Sequence, residues 1–118
     1  MRCALTMLEE LHRFNHRLAI ELQTPLAVGT GIHTGEAIVG RMGPPKTPIL
    51  SAAGDSVNTT ARLESMTKEL GAPLVVSADT LRAAEIIVSF PFQAISLRGR
   101  ANPLDVAALD ETALREIL

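Results

Sequence analysis

The sequence predicts an α+β fold, and three observations carry that reading. Apolar residues recur at helical spacing in two separated stretches, near the N-terminus and again after Gly54. Between and beyond them lie short β-branched runs bounded by Gly and Pro clusters. Helices and strands do not alternate as regular βα units, which argues against a doubly wound parallel sheet.

The first helix is predicted over residues 4–22. Ala4, Leu8, Leu11, Leu18 and Leu22 form its stripe, Leu5 and Phe14 widen it, and Thr24-Pro25 stops it. Leu26 to Gly31 and Glu36 to Val39 are expected as strand material around the Gly-rich "GTGIHTG". "GRMGPPKTP", Gly40 to Pro48, reads as a turn-rich excursion that no central strand could contain. Ile49 to Ala53 runs into Gly54 and a second helix, which carries Leu63, Met66 and Leu70 on one stripe and closes at Gly71. "APLVVSADTLRAA" predicts a short strand, a Ser77 or Asp79 cap and one or two helical turns. Residues 86–109 suggest two strands around "LRGRANPLD", and residues 110–118 a polar helical end or a frayed tail.

With 118 residues there is room for one domain and a single core. Three Phe and no Trp or Tyr make that core aliphatic and leave few platforms for stacked bases. A net charge of -2 argues against a general nucleic-acid or anionic-membrane surface. One cysteine, Cys3, excludes an internal disulfide framework and fits a reducing cytosol. No apolar run reaches the roughly 20 residues of a membrane span, and Glu9, Glu10 and His12 interrupt any signal-peptide core. The chain reads as cytosolic, or as a cytosolic piece of something larger.

Three motifs imitate chemistry. "HRFNH" has the His-x3-His spacing of a zinc helix, but Arg13 stands where the glutamate base would be. His12 and His16 read as solvated helix residues. "GTGIHTG" has misplaced glycines for a dinucleotide fingerprint and suits a place where backbones approach closely. "GPPKT" puts prolines where N–H groups would have to cradle phosphate. Cys3 lacks a charged activating environment and reads as a lone buried or frayed thiol.

"GDSVNTTARLESMTKEL" carries more. Asn58 and Arg62 stand one helical turn apart near a helix N-terminus, where free N–H groups and the dipole favour an anion. A guanidinium binds phosphate bidentately, and a carboxamide can donate to and accept from a sugar at once. On chemistry alone the pair also describes a solvated surface, with Asn58 helping to cap the helix and Arg62 pairing with a nearby carboxylate.

"GIHTGEAIVG", "GDSVNTTARLE" and "LRGRANPLDV" together resemble the class III adenylate and guanylate cyclase catalytic domain, in the order the family has them and from about Leu5 to Ala108. Thr60 departs from the small residue usual at its place. The resemblance implies an incomplete ferredoxin-like sandwich, a mostly antiparallel sheet with packed helices, in which residues 1–118 form the C-terminal part of the catalytic domain. It implies conversion of ATP to cyclic AMP and pyrophosphate, with GTP left open, in cyclic nucleotide signalling. Asn58 would position the ribose and Arg62 would stabilise charge on the α-phosphoryl group. Ser51 would read the purine edge, the backbone of Ala52 and the side chain of Val57 would line base and sugar, and Arg98 would meet the triphosphate tail. The two aspartates that bind Mg2+ or Mn2+ in the family belong to earlier strands, so the chain is expected to hold no metal ligands. The site would straddle a homodimer or a pairing with a complete cyclase domain. The alternative is a truncated homologue acting as a non-catalytic nucleotide-binding or dimerisation module.

Overall fold

A computed structural model describes residues 1–21, 24–88, 92–97 and 102–118. In chain order the elements are α1 (Arg2–Arg17), β1 (Thr30–Ile32), β2 (Ile38–Met42), β3 (Ile49–Ala53), α2 (Asp55–Leu70), β4 (Leu74–Ser77), α3 (Ala78–Ala83), β5 (Gln93–Ile95), β6 (Leu104–Leu109) and α4 (Glu111–Ile117). The α+β expectation holds. The main sheet has the order β1-β4-β6-β5, with β1 parallel to β4 and the other two pairings antiparallel.

All four residues of β4 are buried, because helices cover both faces of the sheet. The period-2 alternation of a strand sends Leu74 and Val76 to one face and Val75 to the other. Leu74 and Val76 join Ala4, Leu8, Leu81, Ala107, Leu109 and Leu114, a core shared with α1, α3 and α4. Val75 joins Leu104 and Val106 beneath Leu63 and Met66 of α2. The helical stripe read from the sequence of α2 is therefore the stripe that packs.

Close approach of α2 to β1 rests on Gly31. A Cβ there would lie 2.5 Å from the Glu64 amide nitrogen and 2.8 Å from the Thr60 carbonyl oxygen. The glycine-rich segment is thus a strand under a helix, as the backbone-approach reading expects, although β1 occupies Thr30–Ile32 rather than Leu26 to Gly31. The second strand is likewise later than expected, at Ile38–Met42. It pairs with β3 as a separate two-stranded sheet, in register Ile38↔Ala53 to Met42↔Ile49. The first three residues of the Gly40 to Pro48 segment therefore belong to a strand, though not a central one. Thr47 N–H bonds the Pro44 carbonyl at 3.0 Å across the turn, with Pro45 at the position whose fixed φ suits it.

The first helix ends at Arg17, short of residue 22. Asn15 shortens the connection: its side chain both donates to the Leu26 carbonyl (2.8 Å) and accepts from the Leu26 N–H (2.9 Å). At the other end of the chain α4 is a docked helix, not a frayed tail. Asp110 caps it, Leu114 is fully buried, and His12 of α1 meets Glu111 at 2.5 Å. His12 is thus exposed but paired, which corrects its reading as merely solvated. Cys3 is exposed rather than buried.

Candidate active site

The site begins at Gly54. Its φ of 135° is open to glycine and strained for residues with a Cβ, and it turns the chain from β3 directly into α2. Asp55 in the first turn complements the positive end of the helix dipole. Gly71, at φ 63°, ends the helix: its N–H bonds the Lys68 carbonyl and the Ala72 N–H bonds that of Thr67. Both ends are thereby set, and sixteen residues lie between them.

Three stripes run along α2. Thr59, Leu63, Met66 and Thr67 are buried against the sheet. Val57, Thr60, Ala61 and Glu64 line an open cleft of about 550 Å³ with Met7 of α1, Val28 and residues 29–31. Asn58 and Arg62 lie on the third stripe and are exposed. The structure brings Asn58 and Arg62 to one face, as their spacing requires. Val57, one residue and about 100° round the helix from Asn58, faces the cleft instead.

Ser51 and Ala52 sit on β3 immediately before the Gly54 turn. Ser51 is half-buried opposite Gly40, and Ala52 is exposed opposite Val39. Their side chains leave opposite faces of the hairpin, so a single ligand can meet only one of them; the sequence expectation asks only for the Ala52 backbone. Arg98 lies outside the described residues.

Sequence reasoning allowed one further arrangement without naming the partner and missed another. Arg62 Nη1 meets Glu69 Oε1 at 3.3 Å, and both side chains are about half exposed. This is the surface pairing that chemistry alone allowed, reached over seven residues, a spacing outside the usual i, i+4 pairing. The second is a polar chain at the ends of β1 and β4. His33 Nδ1 lies 2.8 Å from Ser77 Oγ, Ser77 Oγ lies 3.1 Å from Thr80 Oγ1, and Thr34 Oγ1 lies 3.0 Å from Thr80 Oγ1. Ser77 is also the cap of α3, accepting from the Thr80 N–H. The strand-to-helix step at Ser77 was legible, whereas its partner 44 residues upstream was not.

Among the described residues no three His, Cys, Asp or Glu side chains converge where a cation could sit. The donor set of the described residues does not fit Mg2+ or Mn2+.

The family model for the adenylate and guanylate cyclase catalytic domain matches residues 1–105. The chain belongs to that family. It is 34% identical over 106 residues to adenylate cyclase 1 of Rhizobium meliloti (strain 1021), covering 89% of this chain and 16% of that protein. Adenylate cyclase 2 of the same organism is 29% identical over 117 residues, covering 97% of this chain and 32% of the relative. The crystal structure of the guanylyl cyclase Cya2 superimposes with a TM-score of 0.73 at 32% identity, covering 92% of this chain and 56% of that one. A bacterial light-regulated adenylyl cyclase follows with a TM-score of 0.70 at 25% identity, covering 96% and 32%. The chain therefore spans less than a third of the length of these two curated relatives. Family members act on nucleotides as dimers and generally use Mg2+ or Mn2+.

Proposed function

We propose that the chain supplies the asparagine–arginine side of a shared nucleotide cyclase site, within a parent protein that converts ATP to cyclic AMP and pyrophosphate. The observation that carries this reading is the exposed Asn58–Arg62 pair on α2, launched by Gly54 from the strand that holds Ser51. In the reaction the ribose 3′-oxygen bonds to the α-phosphorus. The bond from that phosphorus to the β-phosphate oxygen breaks, pyrophosphate departs with its electron pair, and the hydroxyl proton passes to solvent. Asn58 holds the ribose so that the 3′-oxygen lies in line with the leaving group. Arg62 meets charge that grows on the α-phosphoryl oxygens, which stabilises the transition state more than bound substrate. Ser51 and the Ala52 backbone meet the purine edge and Arg98 the triphosphate tail, while Val57, which faces the cleft and not the Asn58–Arg62 face, is left out of the nucleoside contacts. The complementary side of the site comes from a second cyclase domain.

Two of the curated relatives are named adenylate cyclases and one structural relative a guanylyl cyclase. ATP is the first substrate to test and GTP the second. Replacing Arg62 by Ala in the parent protein should lower kcat by about 10²–10³ with little change in KM, the usual loss for one transition-state donor. Asn58→Ala should behave alike. Mixing either variant with one defective in the complementary side should recover part of the activity. A raised KM with unchanged kcat would make Arg62 a ground-state or surface contact. The 3.3 Å pair with Glu69 is the observation on the side of a surface contact; absence of turnover by the parent would instead make the chain a non-catalytic nucleotide-binding or dimerisation module.

A further inference from the structure

The Arg62–Glu69 contact has a direction as well as a length. Seven residues of α-helix advance about 10 Å, so Glu69 lies almost two turns towards the C-terminus of α2. Cα–Cβ bonds in a helix tilt towards the N-terminus, which makes Asn58 the natural neighbour of an arginine at position 62. In this structure the guanidinium instead extends the other way, to Glu69 Oε1 at 3.3 Å. It is therefore turned away from the end of α2 where Gly54, Ser51 and Asn58 lie.

We propose that Glu69 is a positioning residue that parks Arg62 away from the nucleotide, so that the arginine must be released before it can act. This rests on the cyclase reading above. Glu69 does not touch substrate; it acts only through the share of molecules in which Arg62 is turned towards Asn58. The strength of the contact sets the scale. The Arg62 side chain is 48% exposed and that of Glu69 57%, so solvent screens the pair and it holds only weakly. Such a contact biases a two-state side chain by up to about fivefold. A phosphate can therefore displace it readily, and Glu69 throttles the arginine without disabling it.

The position also separates the effect from folding. Neither residue belongs to the buried stripe of Thr59, Leu63, Met66 and Thr67, so removing the charge of Glu69 leaves the packing of α2 unchanged. If Arg62 acts mainly in the transition state, releasing it raises kcat and leaves KM in place.

The test is a two-residue cycle in the parent protein, read as kcat and KM with ATP. Glu69→Gln should raise kcat between about 1.5- and fivefold, with KM and melting temperature unchanged. Glu69→Asp, whose carboxylate is one methylene shorter, should fall between wild type and Glu69→Gln. In an Arg62→Ala background the Glu69→Gln change should have no effect. An unchanged kcat for Glu69→Gln, or the same gain with and without Arg62, overturns the parking role while leaving the assignment of Arg62 intact. If Arg62→Ala itself leaves kcat at the wild-type value, the transition-state role of Arg62 fails and the parking role fails with it.

Discussion

Gly31→Ala tests the contact that fixes the position of α2. A glycine-to-alanine change in extended backbone stabilises by about 0.4–1 kcal/mol where there is room, because it restricts the unfolded chain. At Gly31 there is no room. The new methyl would stand 2.5 Å from the Glu64 amide nitrogen, 2.8 Å from the Thr60 carbonyl oxygen and 3.0 Å from the Glu64 Cα. These are helix backbone atoms, so no side chain can swing aside. An ordinary carbon–nitrogen contact is about 3.5 Å, so α2 must retreat by about 1 Å from β1. That retreat loosens Leu63 and Met66 over Val75, Leu104 and Val106. Overpacking of this kind costs about 1–3 kcal/mol and outweighs the entropic gain. A net loss of about 1.3 kcal/mol lowers the melting temperature of a domain this size by about 5 °C. Gly40→Ala is the control, since a Cβ at Gly40 meets nothing within 4 Å. Circular dichroism during thermal and urea denaturation of both variants reads the difference. A Gly31→Ala variant within about 0.5 kcal/mol of wild type would refute the argument that helix and strand backbones are pressed together here. Because α2 carries Asn58 and Arg62, the same variant in the parent protein should also lose catalytic rate, and a shift of 1 Å can cost about 10²-fold.

Three further outcomes follow from the same structure. Leu114→Ala should destabilise the chain by about 2–5 kcal/mol in urea denaturation, since Leu114 is fully buried where α4 meets α1 and the sheet; a loss under 1 kcal/mol would mean that α4 is not part of the core. The purified 118-residue chain should form no cyclic AMP or cyclic GMP from ATP or GTP with Mn2+, because its described residues bring no three metal-binding side chains together; robust turnover would contradict this. The chain should also self-associate, because Ile38, Val39, Ile49 and Leu50 of the β2–β3 hairpin are each 66–74% exposed and β1 lies at the edge of its sheet. A single 12.6 kDa species in sedimentation equilibrium across micromolar concentrations would rule that out.

Local signals were enough for much of this protein. The amphipathic period of α2, its closure at Gly71 and a cap for α3 at Ser77 or Asp79, of which the structure uses Ser77, each depend on residues within a few positions of one another, so the sequence shows them. The i, i+4 spacing of Asn58 and Arg62 likewise needs only a helix to put both on one face. Long-range partners decided the rest. β1 sits at Thr30–Ile32 because those residues pair with Leu74, Val75 and Val76, more than forty positions away. The first helix stops at Arg17, and Asn15 takes both backbone groups of Leu26 eleven residues on, a contact that the apolar period of residues 18–22 conceals. α4 is a helix rather than a tail because the sheet and α1 leave a place for Leu114, which no residue near it in sequence reveals. At the site, spacing put Arg62 beside Asn58, but only the folded helix surface turned its guanidinium towards Glu69. A pattern in sequence records which face a residue occupies; where a long, charged side chain points along that face depends on which charges the folded surface leaves within its reach, and here that charge stands two turns along the same helix.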